Sequence, residues 1–286
     1  MSDPEPVEVH YYMYHPPGVD KVLASGSSAF IGQVDDSTVL KYTLKPGGDA
    51  SSLEHEYRLL DIIGRHNRII AHKGLTVNGL YLERASNGTL LDYIQQATPS
   101  SLSVQQRITW CREIIEAVEY IHSKRVIHCD INPTNILLDK HLHIKLADFQ
   151  GCHLNEEGQV ILYARAGEPC RYFCPRDDDF EATIQTDLFA FASTIHFILT
   201  GQEVFPDIIN GDGKWYERVR SRFRNGIFPD DIHACTDIAQ KCWRQQYTSA
   251  HEVLEDIIAV ERLHTSRNDV DSRTNMIDNG WNCVIF

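Results

Sequence analysis

Up to about residue 85 the apolar positions fall in short β-prone runs; beyond it they recur mostly at helical spacing. Residues 7–14 read as a β-prone run that Pro16-Pro17-Gly18 ends. Leu23–Val34, the turn signal Asp35-Asp36-Ser37 and Thr38–Tyr42 predict a hairpin. Its first strand is preceded by small residues, and its second carries Lys41. After the linker Lys45-Pro46-Gly47-Gly48, Ser51-x-x-Glu54 predicts a capped helix start. Leu53, Tyr57, Leu60 and Ile63 form one face of that helix, and Gly64 stops it. Glu56 lies off this apolar stripe, where a solvated glutamate or a partner for Lys41 would equally fit. Two short strands, 74–77 and 79–83, flank Asn78-Gly79.

Ser86-Asn87-Gly88 breaks the pattern, and helices are predicted over 89–97 and 103–122. Val126-Ile127 and Ile136-Leu137-Leu138 read as short buried strands around a polar loop. Asp187–Leu199 is apolar nearly all round, so it belongs in a core, and Thr200-Gly201 stops it. Further helices are predicted over 230–245 and 249–263, followed from His264 by a polar, aperiodic tail. The expectation is an α+β, two-lobed chain with an extension at 1–19 and a domain over 20–263. That domain comprises a β-rich lobe with one helix (20–85) and a larger, mainly helical lobe (86–263), and a flexible tail follows at 264–286. A cleft at the lobe junction is where a nucleotide would sit.

Charge narrows the choice of partner. Forty acidic against 27 basic residues give a net charge of −13, which argues against nucleic acid or an anionic membrane. The 8 cysteines form no zinc pattern and no disulfide framework, and reduced thiols in a cytoplasmic protein fit best. The acidic, proline-bearing start Met1–Pro6 is no signal peptide, and no apolar run is long enough to span a bilayer.

The candidate chemistry lies in the polar loop, His128-Cys129-Asp130-Ile131-Asn132-Pro133-Thr134-Asn135, with Asp148-Phe149 following. A turn that happens to carry Asp and Asn is the bland reading. An Asp and Asn five apart with a second Asp downstream also suit phosphoryl transfer. With Lys41, Glu56, Glu83, Asp187 and Cys242-Trp243 in the same order, residues 20–263 resemble the eukaryotic protein kinase family. The wording of 171–176 and 241–247 is similar to small kinase-like proteins of filamentous fungi.

The resemblance implies ATP and Mg²⁺ as cofactors, a protein hydroxyl, of serine/threonine type, as acceptor, and a protein kinase-like fold. It implies that Lys41, held by Glu56, neutralises the phosphates, with Gly26, Ser28, Gly32 and Val34 along the nucleotide loop. It places Leu82, Glu83 and Ala85 against adenine, Asn135 and Asp148 on the metal, and Asp130 as the catalytic base. Asp187 is expected to brace the catalytic-loop backbone, and His128 to pack near Phe149.

Several positions depart from the family pattern. No register gives a full G-x-G-x-x-G around Gly26 and Gly32. Cys129 stands for an arginine, Asn132 for a lysine, and Gln150 for the glycine of Asp-Phe-Gly, with Gly151 one place late. Cys174-Pro175-Arg176 replaces Ala-Pro-Glu, and the arginine that ordinarily pairs with that glutamate is also missing. Between Asp148 and Pro175 there is no serine or threonine, only Tyr163 and Tyr172. Three readings stay open: an active kinase, a catalytically weak or inactive pseudokinase serving as a nucleotide-binding or scaffold module, and a small-molecule phosphotransferase on the same fold.

The last four residues, Cys283-Val284-Ile285-Phe286, form a Cys-aliphatic-aliphatic-X ending that would suit geranylgeranylation of Cys283. One lipid without a basic patch would give only weak, reversible membrane association.

Overall fold

A computed structural model of the chain describes residues 14–98 and 101–279, with side chains as far as Ser266. The β-prone run 7–14, apart from Tyr14, and the Cys283 ending lie outside the described residues. The chain forms two compact units, one of residues up to Tyr57 together with His72–Arg84, the other of Arg58–Ala71 and Ala85 onward.

The first unit is built on a five-stranded antiparallel sheet. Its strands are β1 (Lys21–Ser25), β2 (Ala29–Gln33), β3 (Thr38–Thr43), β4 (His72–Thr76) and β5 (Gly79–Glu83), in the order β1-β2-β3-β5-β4. The stretch predicted as the first arm of one hairpin is therefore two strands, folded at Gly26-Ser27-Ser28. β3 is central, and Val39, Leu40, Lys41 and Tyr42 are all buried there. Gly79 admits no side chain, because a Cβ would lie 2.3 Å from the Lys41 carbonyl oxygen. Helix α1 runs Ser51–Ile63 and ends at Gly64, as its pattern predicts. Its capping differs from the predicted box. Ser51 is already inside the helix, and its N–H and hydroxyl donate to the Asp49 carboxylate at 2.9 Å each.

The second unit is mainly helical. It contains α2 (Leu90–Gln96), α3 (Val104–Ser123), α4 (Ile184–Thr200), α5 (Trp215–Arg224), α6 (Thr236–Trp243) and α7 (Ala250–Asn279). Thr89 and Ser103 cap α2 and α3 by accepting from the N–H groups of Asp92 and Gln106. α4 begins three residues before Asp187, after a reciprocal Thr183–Thr186 capping box, and ends at left-handed Gly201. Its buried Leu188, Phe189, Phe191, Ile195 and Phe197 fill the core, as the all-round apolar pattern requires.

Three helical expectations need correction. α5 was not evident in the sequence, because Arg218, Arg220, Arg222 and Arg224 leave only Val219 and Phe223 as its buried positions. α6 starts at Thr236 rather than 230; the Thr236 hydroxyl accepts from the His233 N–H and donates to the Asp231 carbonyl, which fixes the preceding turn. α7 continues beyond 263 to Asn279, since nothing between His264 and Asn279 is glycine or proline.

Short strands complete this unit: β6 (Val126–Ile127), β7 (Ile136–Leu138), β8 (Ile144–Leu146), β9 (Cys152–Leu154) and β10 (Val160–Leu162). β6 and β7 do not form a hairpin with each other. β7 pairs with β8, while β6 pairs with β9 in the order β10-β9-β6. The polar loop is thus suspended between two different sheets. Glu113 on α3, fully buried, accepts the Ile144 N–H at 3.0 Å and pairs with Arg68 at 2.8 Å, which pins β8.

Among the described residues, no helix is long and apolar enough to cross a membrane. His196 on α4 and His233 before α6 lie with ring centroids 6.1 Å apart. Burial lowers both pKa values, that of His233 to about 4, where the neighbouring His196 adds to the effect. Asp231 is the nearby anion and opposes the shift at both rings, and Trp243 packs against His196. The unfolded chain therefore binds protons that the folded chain refuses between about pH 6.5 and 4. Stability is expected to fall as pH drops through that window, and His233→Gln to flatten the fall in thermal melts.

Candidate active site

In the first unit, β3 and α1 bring Lys41 and Glu56 together. The Lys41 Nζ lies 2.6 Å from Glu56 Oε2, with side chains 11% and 1% exposed. Glu56 is thus no solvated helix residue. Charge on two such buried groups is tolerated because each neutralises the other. Gly26 and Ser28 are exposed in the β1–β2 turn, which the Gly26 N–H closes on the Ala29 carbonyl at 2.9 Å. Gly32 lies within β2, where a Cβ would stand 2.5 Å from Val19 and 3.1 Å from Tyr42. Packing alone therefore accounts for this glycine. Val34 follows β2 and donates its N–H to the Thr38 carbonyl. Leu82 is buried opposite Val39, Glu83 opposes Thr38 at the end of β5, and Ala85 follows the strand.

In the second unit, the polar loop is organised by Asp187 from beneath. This fully buried carboxylate accepts the backbone N–H groups of His128 at 2.8 Å and Cys129 at 2.9 Å, and it contacts His122 Nε2 at 2.9 Å. Cys129 has φ +62°, a left-handed conformation that costs energy for a residue with a Cβ. The two charge-assisted hydrogen bonds hold it there. His128 sits fully buried, 4.8 Å from the Phe149 ring, with Nε2 3.1 Å from the Ala147 carbonyl; burial lowers its pKa, so the ring is neutral.

Asp130 is gripped on both oxygens. The Asn132 amide donates to Oδ1 at 2.7 Å, and the Asn135 amide to Oδ2 at 2.8 Å. Both amides also donate to the Asp130 carbonyl, at 3.2 Å and 2.9 Å. Asn132 is itself fixed, because its Oδ1 accepts from the Thr134 N–H at 2.9 Å and from the Thr134 hydroxyl. Burial pushes the Asp130 pKa up to about 7, the negative charge of Asp148 adds to this, and the two amides oppose it. A carboxylate titrating near neutrality suits a general base.

Asp148 adopts φ +60° in the turn after β8, and the Gln150 N–H returns to its carbonyl at 3.0 Å. The displaced glycine has a local reason: a Cβ at Gly151 would lie 1.9 Å from the Ile127 carbonyl oxygen. The close approach of β6 and β9 therefore needs glycine at 151, while Gln150 is buried and its carbonyl accepts the Arg165 N–H at 2.7 Å.

The donor set suits a hard cation. The Asn135 amide nitrogen is occupied by Asp130, and its Oδ1 accepts no hydrogen bond among the described residues. That oxygen and the Asp148 carboxylate are ligands of the type Mg²⁺ prefers. The sequence noted Asn132 only as a missing lysine; the proline and threonine that follow it, which shape its turn, were the available signal for its grip on Asp130.

A family model described as "Protein kinase domain" matches residues 38–265. Death-associated protein kinase 2 of Homo sapiens is 30% identical over 207 residues, covering 65% of this chain and 55% of that protein. 3-phosphoinositide-dependent protein kinase B of Dictyostelium discoideum is 29% identical over 164 residues, covering 55% of this chain and 17% of that protein. An Acanthamoeba polyphaga mimivirus protein named "Putative serine/threonine-protein kinase/receptor R826" is 28% identical over 187 residues, or 62% and 10% of the two chains. The matched region thus spans about half the length of the human relative, and far less of the other two.

Proposed function

Because the chain belongs to the protein kinase family, we propose that it is an active ATP-dependent kinase transferring the γ-phosphate to a serine or threonine hydroxyl of a protein. The observation that carries activity over a scaffold role is the two-handed grip on Asp130 by Asn132 and Asn135. The grip fixes the base without the lysine that the family pattern places at 132. Asp130 orients the acceptor hydroxyl and takes its proton. Lys41, fixed by Glu56, neutralises phosphate charge, and the backbone at Glu83 and Ala85 beside Leu82 receives adenine. Asn135 and Asp148 would hold Mg²⁺, which would supply charge neutralisation of the phosphates when bound. Gly26, Ser28 and Val34 line the nucleotide loop; Gly32 serves chiefly to pack β2. Residues 20–263 are the catalytic domain. The serine/threonine assignment draws on the name of the mimivirus relative.

Nucleotide binding is tested by thermal shift. At about 100 times its Kd, Mg-ATP should stabilise the wild-type protein by ~2.7 kcal/mol. Lys41→Met, compared with its own ligand-free melt, should lose most of that shift. An undiminished shift would remove Lys41 from the site.

The activation segment makes a second claim testable. Tyr172 is 7% exposed and burial raises its pKa, whereas Tyr163 is 75% exposed. With no serine or threonine between Asp148 and Pro175, the activity should not depend on segment phosphorylation. Tyr163→Phe with Tyr172→Phe should retain phosphotransfer within about threefold, and a large loss would show that tyrosine modification is required.

A further inference from the structure

Arg176, at the position where the family pattern has a glutamate, does not point into solvent. Its guanidinium meets the Glu168 carboxylate two-pronged, Nη1 to Oε1 at 3.2 Å and Nη2 to Oε2 at 2.9 Å. The Glu168 side chain is 1% exposed and that of Arg176 11%. Arg176 also donates to the carbonyls of Cys174 at 3.1 Å and Asp179 at 2.9 Å, and it lies 4.3 Å over the Phe173 ring. Arg220, paired with Asp179 at 2.7 Å, lies 4.0 Å over the same ring. Within the loop so closed, Cys170, Tyr172, Phe173 and Cys174 are buried. Arg171 anchors the loop's middle elsewhere, donating to the carbonyls of Val204, Phe205 and Ile208 and to Asn210 Oδ1.

Glu168 is a buried anion whose charge is felt at Asp130, Cys129 and Asp187. Left alone it would add to a concentration of carboxylates around the polar loop. Its partner arginine offsets part of that cost, although burial still holds the Glu168 pKa above its ordinary value. A phosphorylated side chain can order a loop by pairing with arginine; here an encoded carboxylate occupies that role.

We propose that Glu168 and Arg176 are positioning residues: their clamp fixes the 168–176 loop and so orders the segment without phosphorylation. The catalytic consequence rests on the kinase reading above; the ordering does not.

The test uses the full chain with Arg176→Gln, Glu168→Gln and both together, read by hydrogen exchange and by phosphotransfer. Breaking one side of a buried pair should raise amide exchange within 168–176 by about 10²-fold or more, while α3 and β3 stay protected. The kcat should fall at least about tenfold, with KM for ATP within about twofold, as loss of a positioning contact predicts. The double variant should lose no more than the worse single variant, because the two residues act as one unit. Should Arg176→Gln fail to fold, Arg176→Lys, which keeps the charge but not the two-pronged contact, should show the same local exchange increase at smaller size. Unchanged exchange in the single variants, or losses that multiply in the double, would overturn the clamp. If the wild-type protein binds Mg-ATP but transfers no phosphate, the kinase reading fails on its own, and exchange alone decides the clamp.

Discussion

Replacing Asp130 with asparagine is expected to lower phosphotransfer by about 10²–10⁴-fold, the range for a positioned acid–base group. Among the described residues Asn132 and Asn135 present N–H donors to it, the Glu168 carboxylate is held by Arg176, and Asp148 belongs to the metal-binding pair of the proposed mechanism. An asparagine offers one acceptor oxygen where the native residue offers two. Its amide nitrogen must then face the N–H of Asn132 or Asn135. That conflict should cost about 1–3 kcal/mol of stability besides the chemistry. Melts of Asp130→Asn should therefore shift down modestly, while the stabilisation by Mg-ATP relative to its own baseline persists. Loss of nucleotide binding together with activity would mean that the residue serves the nucleotide rather than the acceptor.

Asp187→Ala should give the largest loss of stability of any single substitution at the site, about 3–5 kcal/mol. The carboxylate is wholly buried and satisfies two backbone N–H groups and the His122 ring. Alanine leaves all three without an acceptor and removes what holds Cys129 in its left-handed conformation. For a chain of this size, thermal unfolding should move down by roughly 10 °C. Asp187→Asn keeps one acceptor and should fall between alanine and wild type. A melt of Asp187→Ala within about 2 °C of wild type would show that the loop is held by other contacts.

Much of this site was legible in the sequence because its residues keep fixed chemistry at fixed order. Asp130, Asn135, Asp148 and Lys41 each fall on a short element whose apolar flanks announce it, and Asp187 opens a helix whose all-round apolar pattern requires burial. Periodicity alone leaves the Lys41–Glu56 pair as one of two readings, since a helix glutamate off the apolar stripe is ordinarily solvated; the family resemblance is what implies it, and the pair is present. What escaped was set by local packing partners and helix ends that apolar periodicity does not mark. Arg176 looked like a lost glutamate, yet its charge is matched by Glu168, eight residues earlier. Gly151, one place late by the family pattern, is where β6 approaches across the β6–β9 pair. Gly32 read as a phosphate-loop glycine, and the structure places it under Val19 and Tyr42. α5 was hidden because its buried face is only two residues wide. α7 outruns its apolar periodicity because loss of that periodicity is not loss of helix, and no breaker precedes Gly280.

The most direct test of the account is transfer of labelled γ-phosphate from Mg-ATP to a protein acceptor by the wild-type chain, with Asp130→Asn as the reference. The account predicts incorporation at least about 10²-fold above that reference. Binding of Mg-ATP with no incorporation beyond the Asp130→Asn level would contradict it and leave a nucleotide-binding scaffold on a kinase fold.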